Sequence, residues 1–106
     1  MLVVNRFRVE EVGAESFRAA LETARSALAE RPGFVEGVIG RSLDEPSLWV
    51  LQTRWTDVGS YRRALSSYDV KLVAVPLLSQ AVDEPSAYEL VDADATLNDA
   101  RPRGAG

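Results

Sequence analysis

The sequence predicts an α+β domain, an antiparallel sheet with its helices laid on one face, and three observations carry that expectation. Segments of strand-like alternation and helix-like period follow one another as strand, helix, strand, strand, helix, strand. Gly and Pro punctuate the order at Gly13, Pro32-Gly33, Pro46 and Pro85. The clearest strand, Leu48 to Trp55, runs straight into a helix cap at Thr56-Asp57.

Each element has a local reason. From Leu2 to Val9 side chains alternate: Val3, Asn5, Phe7 and Val9 share one face, Leu2, Val4, Arg6 and Arg8 the other. Asn5 is the polar member of an otherwise apolar face. A helix is expected from about Glu15, because Phe17, Ala20, Leu21, Ala24 and Leu28 follow the amphipathic spacing, with Glu22, Arg25 and Glu30 outside. Pro32-Gly33 stops it, since Pro cannot donate to the helical ladder and Gly tolerates a left-handed cap. Phe34 to Leu43 reads as a second strand, loosened by Gly37 and Gly40, and the turn Asp44-Glu45-Pro46-Ser47 pairs it with the third as a hairpin.

The third strand places Trp49, Leu51, Thr53 and Trp55 on one face and Leu48, Val50, Gln52 and Arg54 on the other. Thr56 and Asp57 offer oxygens to the free N–H groups of a second helix. Tyr61 falls about one turn inside that helix, so it leans back beside Trp55, and a pocket is expected there. Val70, Val73, Ala74, Leu77, Leu78 and Ala81 keep the helical period, but Pro76 interrupts the ladder, so broken helical pieces are expected. After Asp83-Glu84-Pro85-Ser86, Ala87 to Val91 reads as a fourth strand. Residues 1–91 form the domain, and 92–106, nearly free of large apolar groups, a flexible C-terminal tail.

This order is the split βαβ, or ferredoxin-like, plan (βαββαβ). Its open sheet face mixes Leu48 and Val50 with Arg6, Arg8, Gln52, Arg54 and, depending on register, Glu89. That surface is too apolar to leave wet and too polar for an ordinary core. A two-fold homodimer through this face resolves the conflict and would bury on the order of 1,600 Å².

Composition narrows the function. At 106 residues, 46% apolar and 26% charged, the chain is one globular domain. A net charge of −4 and the lack of a basic run argue against a nucleic-acid partner. The longest apolar run, Leu72 to Leu78, is too short to span a membrane, and the opening residues go into strand rather than a signal peptide, which reads as cytoplasmic. There is no Cys and no His. Thiolate chemistry, Cys-ligated metal, the usual haem ligand and the usual hydrolytic base are thereby excluded. Chemistry is left to carboxylates, Tyr, Arg, Lys71, amides and the substrate itself.

Several stretches carry a resemblance: Pro32-Gly33-Phe34, the run from Leu48 to Asp57, Tyr61 six residues beyond Trp55, and the segments Ser66-Ser67, Pro76-Leu77-Leu78 and Asp83-Glu84-Pro85. Through them residues 1–91 resemble the antibiotic biosynthesis monooxygenase family of dimeric α/β-barrel proteins. That family includes cofactor-free quinone-forming monooxygenases, quinol monooxygenases and haem-degrading enzymes. Trp55 and Tyr61 match the pocket Trp and Tyr of the quinone-forming branch. Leu51 stands where that branch has an Asn, and its helix Arg has no matching residue, Lys71 being the candidate stand-in, so the branch's catalytic set is incomplete here. Asn5 matches a strand-one Asn of the haem-degrading branch, whose helix Trp and ligating His fall at Ala64 and Ala74, so haem degradation is not expected.

The resemblance implies a monooxygenase without cofactor or metal, acting on a small aromatic or polyketide-like phenol or hydroquinone. Asn5, Trp55 and Tyr61 are its catalytic candidates; Leu51, Arg54, Lys71 and Val73 are its substrate-contacting candidates. A non-oxidative isomerase or cyclase of the same fold and a non-catalytic ligand-binding dimer are the alternatives. Each residue also has a purely structural reading. Trp55 serves as a core anchor, worth roughly 3–5 kcal/mol against Ala, Tyr61 as helix–sheet packing and Asn5 as a structural hydrogen-bonder. Arg6, Arg8 and Arg54 then become dimer or surface residues, and Lys71 faces solvent.

Overall fold

The computed structural model describes residues 1–97. Its elements are β1 (Leu2–Arg8), a 3₁₀ turn (Glu11–Gly13), α1 (Ala14–Ala29), β2 (Phe34–Arg41), β3 (Leu48–Trp55), α2 (Val58–Ser66), α3 (Tyr68–Val73), α4 (Val75–Leu78) and β4 (Ala87–Tyr88). The strands form one antiparallel sheet in the order β2-β3-β1-β4, the ferredoxin-like arrangement. Within the single chain this sheet is open, not a closed barrel.

Register decides which side chains meet the helices. β1 lies against β3 with Val3 opposite Thr53, Asn5 opposite Leu51 and Phe7 opposite Trp49. β3 alternates strictly, with Trp49, Leu51, Thr53 and Trp55 buried and the residues between them half-exposed. The buried row packs with Val3, Phe7, Leu21, Ala24, Leu28, Ala64, Val70, Ala74 and Leu77 in one core. A bulge between Phe34 and Glu36 inserts Val35 into β2 and resets its pairing, so that Glu36 opposes Arg54 and Ile39 opposes Leu51.

Departures from expectation have local causes. α1 starts at Ala14 and buries Leu21, Ala24 and Leu28, with Phe17 half-buried; Ala20 falls at the edge of that stripe and is exposed. The broken helical pieces are present, with Pro76 in the first turn of α4, where its missing N–H has no partner to lose. Val70, Ala74 and Leu77 point inward, whereas Val73 is exposed. β4 is shorter than expected, Ala87–Tyr88 rather than Ala87 to Val91. Tyr88 already opposes Leu2, the first residue of β1, so residues beyond Glu89 run past the end of their partner strand. Asp92 to Ala95 closes a turn through Ala95 N–H to Asp92 C=O at 3.2 Å, and the rest of the expected tail, 98–106, lies outside the described residues.

Gly33 fixes how α2 meets the turn after α1. Its φ is +90°, a conformation L side chains avoid, and a Cβ there would collide with Ser60 and sit 2.9 Å from Thr56 Oγ1. Gly33 C=O accepts from Thr56 N–H at 2.8 Å, tying that turn to the entrance of α2.

On the opposite face of the sheet the arginines turn outward to carboxylates: Arg6 to Glu84 (2.5 and 2.6 Å), Arg8 to Glu45 (3.0 Å) and Arg54 to Glu36 (3.5 Å). No helix among the described residues is long and apolar enough to cross a membrane.

Candidate functional site

Trp55 ends β3, and its neighbours hold it on every side. Its backbone N–H donates to Met1 C=O at 2.9 Å, and its side chain is fully buried. The indole Nε1–H donates to Thr53 Oγ1 at 2.9 Å, a residue on the same face of the same strand. Phe34 meets the ring edge-on at 5.3 Å, and Tyr61 tilts over it at 5.6 Å between centroids. A ring held this way presents area rather than a hydrogen-bond donor.

α2 delivers Tyr61. Asp57 Oδ1 accepts from Ser60 N–H at 2.7 Å, the expected cap, and that bond holds the Asp57 carboxyl below the usual carboxylate range. Thr56 and Ser60 hydroxyls lie 3.4 Å apart, and Arg63 donates to Ser60 Oγ at 3.3 Å. Two faces of the helix then divide the work. Ser60 and Ala64 are small and buried, allowing close approach to the core. Val58, Tyr61, Arg62 and Leu65 follow the i, i+3, i+4, i+7 spacing along a different stripe.

That second stripe forms one wall of a cleft of about 400 Å³, completed by Met1, Ala87, Tyr88 and Glu89. Its lining is chiefly apolar, with the exposed Arg62 and Glu89 as the charged side chains; the Met1 ammonium beside it donates to Trp55 C=O at 2.6 Å. Burial pushes the Tyr61 hydroxyl above its ordinary value of 10.0, so at neutral pH it is an uncharged donor and not a base. Tyr88 donates its own hydroxyl to Pro85 C=O at 3.1 Å. Arg62 makes no ion pair among the described residues.

The candidates read from the sequence do not all converge on this cleft. Trp55 and Tyr61 are brought together as expected, but only Tyr61 lines the opening; Trp55 is the wall behind it. Leu51 is fully buried between Asn5 on β1 and Ile39 on β2. Asn5 lines a separate cleft of about 310 Å³ with residues around Ser79 and Asp83. Arg54 lies on the opposite sheet face, and Lys71 and Val73 are exposed on α3, none of them lining the cleft. Arg62 and Tyr88 are the residues the sequence reading missed. The stripe Val58, Tyr61, Arg62, Leu65 was a signal that could have found the first; the second depends on β4 joining the edge of β1.

The model of the family described as antibiotic biosynthesis monooxygenase matches residues 1–74. The chain belongs to that family. Among solved structures, SnoaB, a cofactor-independent oxygenase from Streptomyces nogalater, is 31% identical, with 91% of this chain and 94% of that chain covered at a TM-score of 0.67. A Deinococcus radiodurans protein aligns over 92% of this chain and 100% of its own at TM-score 0.70 and 17% identity, a likeness of fold. A conserved protein from Methanosarcina mazei covers 81% of this chain and 84% of its own at TM-score 0.66 and 21% identity, again a likeness of fold. No curated protein matches the sequence.

For a member of the antibiotic biosynthesis monooxygenase family, the arrangement offers apolar walls, a neutral phenol as donor and one guanidinium. Among the described residues no group of three or more His, Cys, Asp or Glu is placed to hold a metal ion. Such a lining can exclude water, lie against a flat molecule and donate to negative charge.

Proposed function

We propose that this chain is a cofactor-independent monooxygenase of a small aromatic or polyketide-like phenol or hydroquinone, bound in the cleft between α2 and β4. The observation that carries the reading is the 400 Å³ apolar cleft with Tyr61 in its wall, backed by Trp55 at 5.6 Å. The likeness to a cofactor-independent oxygenase supports it.

Ground-state dioxygen is a triplet and reacts slowly with singlet organic molecules unless an electron passes first. In this reading the substrate supplies the electron. The activated C–H of the substrate's keto tautomer gives its proton to water at the cleft mouth, from which the peroxide later takes one back, and the carbanion left behind transfers one electron to O₂. Recombination forms a C–O bond, and the resulting hydroperoxide loses water to leave a carbonyl. One O₂ is consumed, one oxygen atom stays in the product and the other leaves as water. Tyr61 donates to the developing oxyanion as an uncharged phenol, and its ring, held at a tilt by the buried Trp55 behind it, offers the flat surface against which the ring system lies. Apolar walls keep water from the carbanion.

Oxygen uptake with a panel of hydroquinones and anthrones, in air and anaerobically, tests the reading. Uptake at least tenfold above buffer for one compound, cut by Tyr61→Phe, is the expected result. Rates equal to buffer across the panel would refute it.

The active form in this proposal is a homodimer through the open sheet face. With Arg6, Arg8 and Arg54 drawn to Glu84, Glu45 and Glu36, the face interleaves Val4, Val38, Leu48 and Val50 with these paired charges and Gln52, a mixed surface that a second copy would cover. Sedimentation equilibrium should give twice the chain mass, and Val50→Asp should return it to the mass of one chain.

A further inference from the structure

We infer that Arg62 makes the α2 cleft selective for an aromatic ligand bearing a fixed negative charge, an aryl carboxylate in preference to a neutral arene. This deepens the oxygenase reading and rests on it in one respect, that the ligand occupies this cleft.

The charge inventory around the cleft points to Arg62. Most arginines of the chain are committed elsewhere: Arg6, Arg8, Arg18, Arg25 and Arg54 to carboxylates, Arg41 to Pro46 C=O at 2.6 Å. Arg63, the neighbour on α2, donates to Ser60 Oγ and helps hold the Asp57 carboxyl low. Arg62 lines the cleft and has no ion pair among the described residues. Glu89, the acid of the same lining, already has an interaction of its own.

The surroundings determine what such a guanidinium would accept. A planar fork of N–H donors matches the two oxygens of a carboxylate. Next to it Tyr61 presents an uncharged hydroxyl, a further donor that brings no competing negative charge. Val58, Leu65 and Met1 supply apolar wall for a flat ring system, and 400 Å³ has room for two fused rings and a carboxylate.

The experiment is isothermal titration calorimetry of the full chain with a matched pair, 3-hydroxy-2-naphthoate and 2-naphthol. The natural protein should bind the naphthoate about tenfold tighter, the size of one charge-assisted pair. Arg62→Gln should loosen the naphthoate about tenfold and leave 2-naphthol unchanged, while Arg62→Lys retains part of the preference. Equal affinity of the natural protein for both compounds, or a parallel loss of both in Arg62→Gln, overturns the inference. So does absence of binding by either compound. Oxygen uptake is read separately: naphthoate preference without uptake supports this inference and defeats the oxygenase reading, and uptake without the preference does the reverse.

Discussion

Trp49 and Trp55 stand on the same face of β3, and each is the centre of an aromatic group, yet their surroundings differ. Trp49 meets Phe17 edge-on at 5.7 Å, Phe17 meets Phe7 at 5.2 Å, and the Arg41 guanidinium lies 5.3 Å above the Trp49 ring. Trp55 meets Phe34 and Tyr61 at similar distances, but its Nε1–H is bonded to Thr53, whereas the Trp49 Nε1–H is buried with no partner. The Trp49 end packs under α1, a sixteen-residue helix, and Trp49 itself borders clefts of about 350 and 360 Å³ shared with Arg41. The Trp55 end is closed by nine-residue α2, whose outer stripe faces a cleft. One end is held between Phe17 and the Arg41 guanidinium and leaves its indole donor orphaned. The other has its donor satisfied and lies behind Tyr61, which with Arg62 lines a cleft.

The largest effect should come at the satisfied end. Trp55→Ala should lower unfolding free energy by about 3–5 kcal/mol in urea titrations. Trp49→Ala should cost less, because removing the ring also removes an unpaired buried donor; the reverse ranking would break the comparison. Gly33→Ala should cost about 1–3 kcal/mol, since φ +90° is strained for Ala and its Cβ meets Ser60. In that variant Tyr61 should shift from Trp55, seen as changed ring-proton chemical shifts.

Thr53→Val makes the two indoles alike by orphaning both N–H groups. A loss of about 1–3 kcal/mol is expected, and a double-mutant cycle with Trp55→Phe should show that most of it vanishes when the donor is absent. Trp49→Phe should change stability by less than about 1 kcal/mol, lost ring area being offset by removal of the unpaired donor.

The smallest effect is electrostatic. Folding lowers the carboxyl pKa of Asp57 through its Ser60 cap and that of Glu84 through Arg6. Both contributions are therefore complete above the ordinary carboxylate value of about 4 and are lost as pH falls through the lower folded values. Melting temperatures followed downward from pH 5 should decline, and Asp57→Asn should make that decline shallower.

The sequence by itself determined the elements and their faces. Period-two alternation from Leu48 to Trp55, helical spacing from Phe17 to Leu28 and breaks at Pro32-Gly33 and Pro76 are local properties, set by where successive side chains must point. The order of elements then left the ferredoxin-like sheet as the plan that buries those faces, and Trp55 beside Tyr61 followed from a capped helix after a strand. Only the tertiary structure decided which polar groups reach the cleft. Asn5 shares a face with Trp55, but its position opposite Leu51 sends it to another cleft, and Arg62 enters through the meeting of α2 with β4. Alternation tells which side of a sheet a residue occupies; where it lies across that side depends on strand pairing and helix docking, which arise from contacts between residues far apart in the chain.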